Sequence, residues 1–375
     1  MKNDSFENKA INAIEAALTG YSTNVIAPRS VDSVGFPATR YYGSKKKLAS
    51  WLSKIFRAET FMSALDPFGG TGIVSFLLAS QGKNVFYRDF FKWSTTCAAV
   101  LLEPQKPLLS STELSCFLKN VRPKRGFIST AFENAYYLDS ENKWLDGACD
   151  QIGQIANPST RNQLWYLVIQ ASLRKRPFNL FHRQNLHLRQ SRLSIPTFGN
   201  HSTWARSFES HIFELHAELV TYKQHSIGTV SVLPSGDVLS NAPPVDLVYL
   251  DPPYLAVDRY SESYLDRYHF LEGMVDYENW PNRIVRNKKK VSIDSCSDAH
   301  SWSSKEQLTD LLLGTVSAYS DSIVVLSYAE GSIPPRQIIS EFFKDTFASV
   351  SVYQRQRAIA MSSKPLTELV FVGRP

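Results

Sequence analysis

Two short runs in this 375-residue chain carry residue types and spacings that could do chemistry. The first is Val245-Asp246-Leu247-Val248-Tyr249-Leu250-Asp251-Pro252-Pro253-Tyr254, an apolar strand that ends in an acid, two prolines and an aromatic. Proline has a fixed φ and no N–H, so carbonyls at this point are held rigid and left free to accept. Asp251 and the Pro252 carbonyl can together accept both hydrogens of an exocyclic amino group, and Tyr254 can stack on the ring that carries it. Holding both N–H bonds out of the ring plane localises the nitrogen lone pair and makes it nucleophilic. A plain strand stop is the alternative reading of D-P-P-Y, and it weakens when a cofactor turn lies upstream.

That turn is the second run, Asp66-Pro67-Phe68-Gly69-Gly70-Thr71-Gly72. Its glycines let the backbone bend tightly and approach a ligand, and the helix that follows offers unpaired N–H groups to an anion. Asp89 comes 17 residues after Gly72, behind a strand of the form NVFYR, where a carboxylate can accept from ribose hydroxyls. The full G-x-G-x-x-G is missing, so a nicotinamide dinucleotide is disfavoured, and no G-K-[ST] closes a P-loop. An adenosyl-type ligand fits better. Arg40-Tyr41-Tyr42-Gly43-Ser44-Lys45-Lys46-Lys47-Leu48 is a basic turn into a helix. Lysines there oppose the helix macrodipole, which points to an anionic neighbour, a carboxylate or a phosphate.

From Gln151 to Phe208 the sequence has no Asp or Glu, while it holds Arg161, Arg174, Lys175, Arg176, Arg183, Arg189, Arg192 and Arg206 among interleaved aromatics. Cations so concentrated repel one another unless an anion lies alongside, and a nucleic-acid backbone is the obvious one. A solvated basic face over core aromatics is the plainer reading. A second cluster, Arg283, Arg286 and Lys288 to Lys290, is weaker.

These residues need elements to hold them. Net charge is +6, hydrophobic residues are 43% and charged residues 20%, which fits a globular chain and excludes general disorder. No apolar run reaches the roughly 20 residues of a membrane span, and MKNDSFENKA does not read as a signal peptide. Cys97, Cys116, Cys149 and Cys296 form no C-x-x-C pair, so neither structural zinc nor a disulfide framework is expected, in keeping with a reducing cytosol. Apolar spacing predicts helices over 9–19, 46–56 (behind Ser44 as N-cap), 92–102, 111–119, 140–157, 161–173, 204–222, 305–318 and 334–344. Residues 174–202 read as a long exposed loop. MSALDPFGGTGIVSFLLASQGKNVFYRDF reads as strand, turn, helix, strand, and GTVSVL, VDLVYL, SIVVLSY and TELVFV read as later strands. The pattern is an α/β sheet with a mainly helical insert. It divides the chain into a catalytic domain, residues 1–102 and 229–375, and an insert of residues 103–228.

Together these motifs resemble the Dam-like (D12) adenine-specific DNA methyltransferases, with the alpha order of motifs. Tyr41 to Lys45, Asp66 to Gly72, the basic insert and Asp251 to Tyr254 stand in that family's order, with Ser44 where a second glycine is usual. The resemblance covers roughly residues 38–100 and 229–373. It implies a Rossmann-like, seven-stranded sheet, S-adenosylmethionine as methyl donor and N6 of adenine in double-stranded DNA as acceptor. It places Tyr41, Tyr42, Lys45, Asp66, Pro67, Phe68, Gly69, Gly70, Thr71 and Gly72 by the cofactor, Asp89 on its ribose, and Asp237 with Val238 by its adenine. Asp251, Pro252, Pro253 and Tyr254 are the catalytic set, acting on a base flipped out of the duplex. The insert would grip DNA through Arg174, Lys175, Arg176, Asn179, His182, Arg183, Asn185, Arg189 and Arg192, with no metal required. The expected setting is a cytoplasmic, DNA-associated monomer, the modification enzyme of a restriction–modification system with a cognate endonuclease; a solitary methylase also fits. The rivals are an RNA adenine methyltransferase, cytosine N4 transfer, a catalytically silent DNA-binding subunit and, weakest, a nicotinamide oxidoreductase.

Overall fold

Strand β4 (Leu247–Leu250) is the clearest case of sequence dictating layers. Leu247 and Tyr249 pack into one hydrophobic cluster, Val248 and Leu250 into another, the alternation of a strand covered on both faces. The computed structural model describes residues 35–37, 41, 43–103, 107–177, 180–190, 201–223, 229–257, 263–286, 291–294, 301–357 and 366–375. The expected helix over 9–19, Tyr42, Asn179, Arg192, Lys288 to Lys290 and Cys296 lie outside the described residues.

A 3-10 turn, Lys45–Leu48, leads into α1 (Ala49–Arg57), and the Ser44 hydroxyl accepts from Lys46 N as its cap. Then come β1 (Ser63–Asp66), α2 (Ile73–Ala79) and β2 (Asn84–Tyr87). A helical stretch follows: α3 (Lys92–Leu102), α4 (Ser111–Asn120), α5 (Phe127–Ala131), α6 (Asp139–Gly153), α7 (Pro158–Arg174), α8 (Leu186–Gln190), α9 (His201–Ala205) and α10 (Phe208–Lys223). The chain returns through β3 (Val230–Val232), β4, α11 (Tyr264–Val275), α12 (Trp280–Arg283) and the hairpin β5 (Ile284–Arg286) and β6 (Val291–Ile293). It ends with α13 (Leu308–Ala318), β7 (Ile323–Ala329), α14 (Arg336–Thr346), β8 (Ser349–Arg357) and β9 (Leu366–Arg374).

The central sheet has seven strands in the order β3-β2-β1-β4-β7-β9-β8, with β9 antiparallel to both of its neighbours. The fold is the α/β, Rossmann-like sheet that the sequence leads one to expect. One cluster joins sheet residues Val85 and Val230 to Trp93, Trp165, Val168 and Ile212 of the helical stretch, so those helices share a core with the sheet. The other face is covered by α13 and α14 through Leu308, Leu312, Ile339 and Phe343.

Several helices sit where apolar periodicity placed them, α3 and α4 most closely. The loop expected over 174–202 is corrected where it is described: it contains α8, whose Leu186 is buried. The helix expected over 204–222 is interrupted between α9 and α10. Strand β8, helix α5 and the β5–β6 hairpin were not anticipated.

Candidate active site

The strand order reverses beside β1: the chain runs outward from β1 to β2 and β3, then returns to place β4 on the other side. Such a reversal leaves a crevice beyond the carboxyl ends of the two central strands. Asp66 is the last residue of β1, and Asp251 directly follows β4, so the two motif acids stand at the same crevice. A cavity of about 850 Å³ fills it. Its wall brings together Tyr41, Lys45, Asp66 to Thr71, Asp89, Asp237 with Val238, and Asp251 to Tyr254. Gly72 is not part of that wall.

The Gly-rich turn is built by close approach. A Cβ on Gly69 would lie 2.1 Å from the Tyr87 ring, and Gly72 has φ +78° at the start of α2 with the Leu102 side chain 2.8 Å from any added Cβ. Asp89 Oδ2 accepts from Gly70 N at 2.8 Å and Oδ1 from Phe91 N at 2.9 Å, so this carboxylate ties the turn to the end of β2. Each oxygen keeps capacity for a further donor. Burial pushes Asp89 up to about 6 against those two N–H bonds. Asp66 Oδ2 accepts from Ser75 Oγ at 2.7 Å, while Oδ1 is buried with no hydrogen-bond partner. Burial raises Asp66 to about 7, and the charges of Asp251 and Asp89 add to the effect. Asp237 Oδ1 accepts from Leu239 N at 3.0 Å, and the buried Arg88 guanidinium donates to the Ser240 carbonyl, which holds that loop against β2.

At the D-P-P-Y end, Lys45 Nζ lies 2.8 Å from Asp251 Oδ1 and donates to the Tyr254 hydroxyl at 3.0 Å. That hydroxyl donates to Asp251 Oδ1 at 2.8 Å and lies 3.1 Å from Ser327 Oγ. Burial, then the Asp251 charge, push the Tyr254 hydroxyl well above its ordinary pKa, so it stays a neutral donor. The anionic neighbour expected for the lysine turn is therefore the Asp251 carboxylate. Gly43 takes a left-handed position there at φ +87°, and Ser44 needs no glycine because its φ is −52°, which leaves its hydroxyl free to serve as a cap.

Several cavity residues escaped the sequence reading, three of them with large side chains on the wall. Trp302 meets Phe68 edge-on with ring centroids 4.9 Å apart, and Tyr264 and Arg267 of α11 also line the wall. A lone tryptophan in the polar run Ser301-Trp302-Ser303-Ser304 was the available signal for the first. The α11 residues lack one, because their helix is aromatic on several sides.

The basic stretch behaves differently. Lys175 and Arg176 are 1% and 0% exposed, so their assignment to DNA contact is corrected. Lys175 pairs with Glu141 at 2.8 Å and donates to the Trp204 and Arg206 carbonyls. Arg176 donates to the Leu180 and Arg183 carbonyls. Arg189 pairs with Glu141, and Arg174 with Glu214 and Glu218, so neither extends freely from the surface. The counter-charges are acids of α6 and α10, outside the acid-free window. Arg183 is exposed, and His182 and Asn185 are half-buried beside it.

A doubly covered sheet with D-P-F-G-G-T-G and D-P-P-Y at adjacent strand ends defines a class of amino-group methyltransferase. Residues 41–312 match the D12 class N6 adenine-specific DNA methyltransferase family, and the chain belongs to that family. It is similar to the Type II methyltransferase M2.HphI of Haemophilus parahaemolyticus, 25% identical over 252 residues, which cover 65% of this chain and 72% of that protein. Among the described residues no helix is long and apolar enough to cross a membrane, and no group of His, Cys, Asp and Glu could hold a metal ion.

Proposed function

We propose that this enzyme transfers a methyl group from S-adenosylmethionine to N6 of an adenine flipped out of duplex DNA, as the modification enzyme of a restriction–modification system. The observation that carries the reading is the single crevice in which a buried, unpartnered Asp66 oxygen and the Asp251–Tyr254 acceptor share one wall. The donor set suits the cofactor: Asp66 for its ammonium, Asp89 for ribose hydroxyls, Asp237 for the adenine amino group, and Phe68 with Val238 for apolar ring surface. When bound, the cofactor supplies an electrophilic methyl group on a positively charged sulfur.

Asp251 and the Pro252 carbonyl receive the two N6–H bonds, and Tyr254 presents its ring to the base. In the base-free site Lys45 satisfies Asp251, so base entry exchanges one N–H donor for another. An adenine paired and stacked in a duplex cannot reach this depth, which is why flipping is required. Residues 1–102 and 229–375 form the catalytic part and 103–228 the recognition part, with Arg183, His182 and Asn185 as its DNA-facing groups. The restriction setting rests on the relative's designation as a Type II methyltransferase.

Methyl transfer from labelled S-adenosylmethionine to adenine-methylation-free duplex DNA, followed by nucleoside analysis, tests the proposal. N6-methyladenine is the expected product. Label appearing only in RNA, or in N4-methylcytosine, overturns the substrate assignment.

A further inference from the structure

Arg176 is a fully buried cation that makes no ion pair among the described residues. Such a group is costly to keep, and burial pulls its pKa down to about 10. Its guanidinium is held by carbonyls and π faces instead. Nε and Nη2 donate to Leu180 O at 3.2 and 2.7 Å, and Nη2 donates to Arg183 O at 2.6 Å. The Tyr136 and Phe181 rings lie 4.6 and 5.3 Å away. One rigid fork thus clamps both ends of the segment 180–183, a task for which lysine, a point donor, is a poor substitute.

The clamped segment is fastened to the crevice wall. Phe181 N donates to Arg267 O at 2.8 Å, Tyr136 Oη donates to Phe181 O at 2.6 Å, and the Phe181 ring stacks on Phe270 at 4.8 Å with planes 7° apart. The first of these bonds is main chain to main chain. Arg267 and Phe270 both belong to α11, whose Tyr264 and Arg267 line the cavity. Between these anchors Arg183 and Gln184 project into solvent.

We propose that Arg176 is a positioning residue that locks the 180–185 segment onto α11, so that Arg183 reads base edges beside the target adenine and its engagement is coupled to the pocket wall. This rests on the methyltransferase reading above and adds to it the residue that sets site discrimination. Arginine can pair bidentately with guanine, a contact worth roughly 5- to 150-fold in discrimination.

The test uses full-length protein, duplexes carrying the site found by sequencing wild-type-methylated DNA, and the same duplexes with single base changes. Arg183→Ala and Arg176→Met should each lower the cognate-to-variant ratio of kcat/KM by about tenfold or more, mainly through KM. Arg176→Lys should fall between Arg176→Met and wild type. S-adenosylhomocysteine affinity should stay unchanged in all three, and the double variant should be no worse than the poorer single one, because both act through one segment. An Arg183→Ala enzyme with wild-type discrimination overturns the inference, and it remains decisive if Arg176→Met does not fold. A wild-type protein that methylates no DNA removes the proposed function itself, a result distinct from lost discrimination in active variants.

Discussion

The crevice and the basic stretch both bury charge, and they finish it in opposite ways. In the crevice burial raises the pKa of both Asp66 and Asp89, the charges of Asp251 and Asp89 raise that of Asp66 further, and Asp66 retains an oxygen with no partner. In the basic stretch Lys175, Arg176 and Arg189 are each met by carboxylates or carbonyls of the protein itself, although Arg176 Nη1 and Arg189 Nε stay without a partner. What separates the two regions is where the charge lies: buried charge tied into packed helices builds structure, whereas an unpartnered carboxylate on a cavity wall is placed for a ligand. Local composition cannot separate the two, because the partners come from elsewhere in the chain.

The largest effect that would sharpen this contrast is at Asp251. Asp251→Asn keeps the shape of the acceptor and should lower single-turnover methyl transfer of the folded enzyme by about 10²- to 10³-fold. Wild-type turnover would remove Asp251 from the chemistry. Glu141→Gln should do the reverse: it strips the carboxylate from Lys175 and Arg189, and should cost about 3 kcal/mol in urea unfolding while cofactor affinity in the folded state is unchanged. A neutral result would place the basic stretch among solvated surfaces after all.

Next is a pH effect. Only ionised Asp66 can accept from a ligand ammonium, and its folded pKa is about 7. The ionised fraction therefore grows as pH rises, so S-adenosylhomocysteine affinity should increase about tenfold from pH 6 to 8, and Asp66→Asn should flatten the profile. Calorimetric titration across that range decides it; a falling profile would mean another group controls binding. The smallest effect belongs to Lys124, whose pair with Asp150 is exposed on both sides. Lys124→Ala should change stability by less than about 0.5 kcal/mol, and a larger shift would show that exposure is a poor guide to which charges matter here.

The same contrast explains what was legible in the sequence. β1, β4 and the Gly-rich turn were readable because their signals are local: an apolar run, then residues whose backbone chemistry is restrictive. α3 was readable for the same reason, through periodicity. β8 was not, since Ser349–Arg357 alternates Val with Ser and then turns wholly polar at Gln354 to Arg357. β5 and β6, three residues each, are too short for a period to register. The basic stretch misled at Lys175 and Arg176 because the decisive partner of Lys175, Glu141, lies a full helix earlier in the chain. The contacts of Lys45 are likewise a product of the fold, since its partner Tyr254 lies 209 positions away and Asp251 three residues before that.

That contact also sets a threshold for what can enter. Lys45 is covalently part of the site it fills, so a loose amine approaching Asp251 competes with a donor at the effective concentration of a tethered group, roughly millimolar or above. A free amine present well below that concentration loses that contest. A base hinged on a polymer that the protein already grips is tethered too, and competes on the same terms. On the proposed reading, the lysine makes the acceptor respond to attachment, favouring bases that belong to a strand over those that drift in alone.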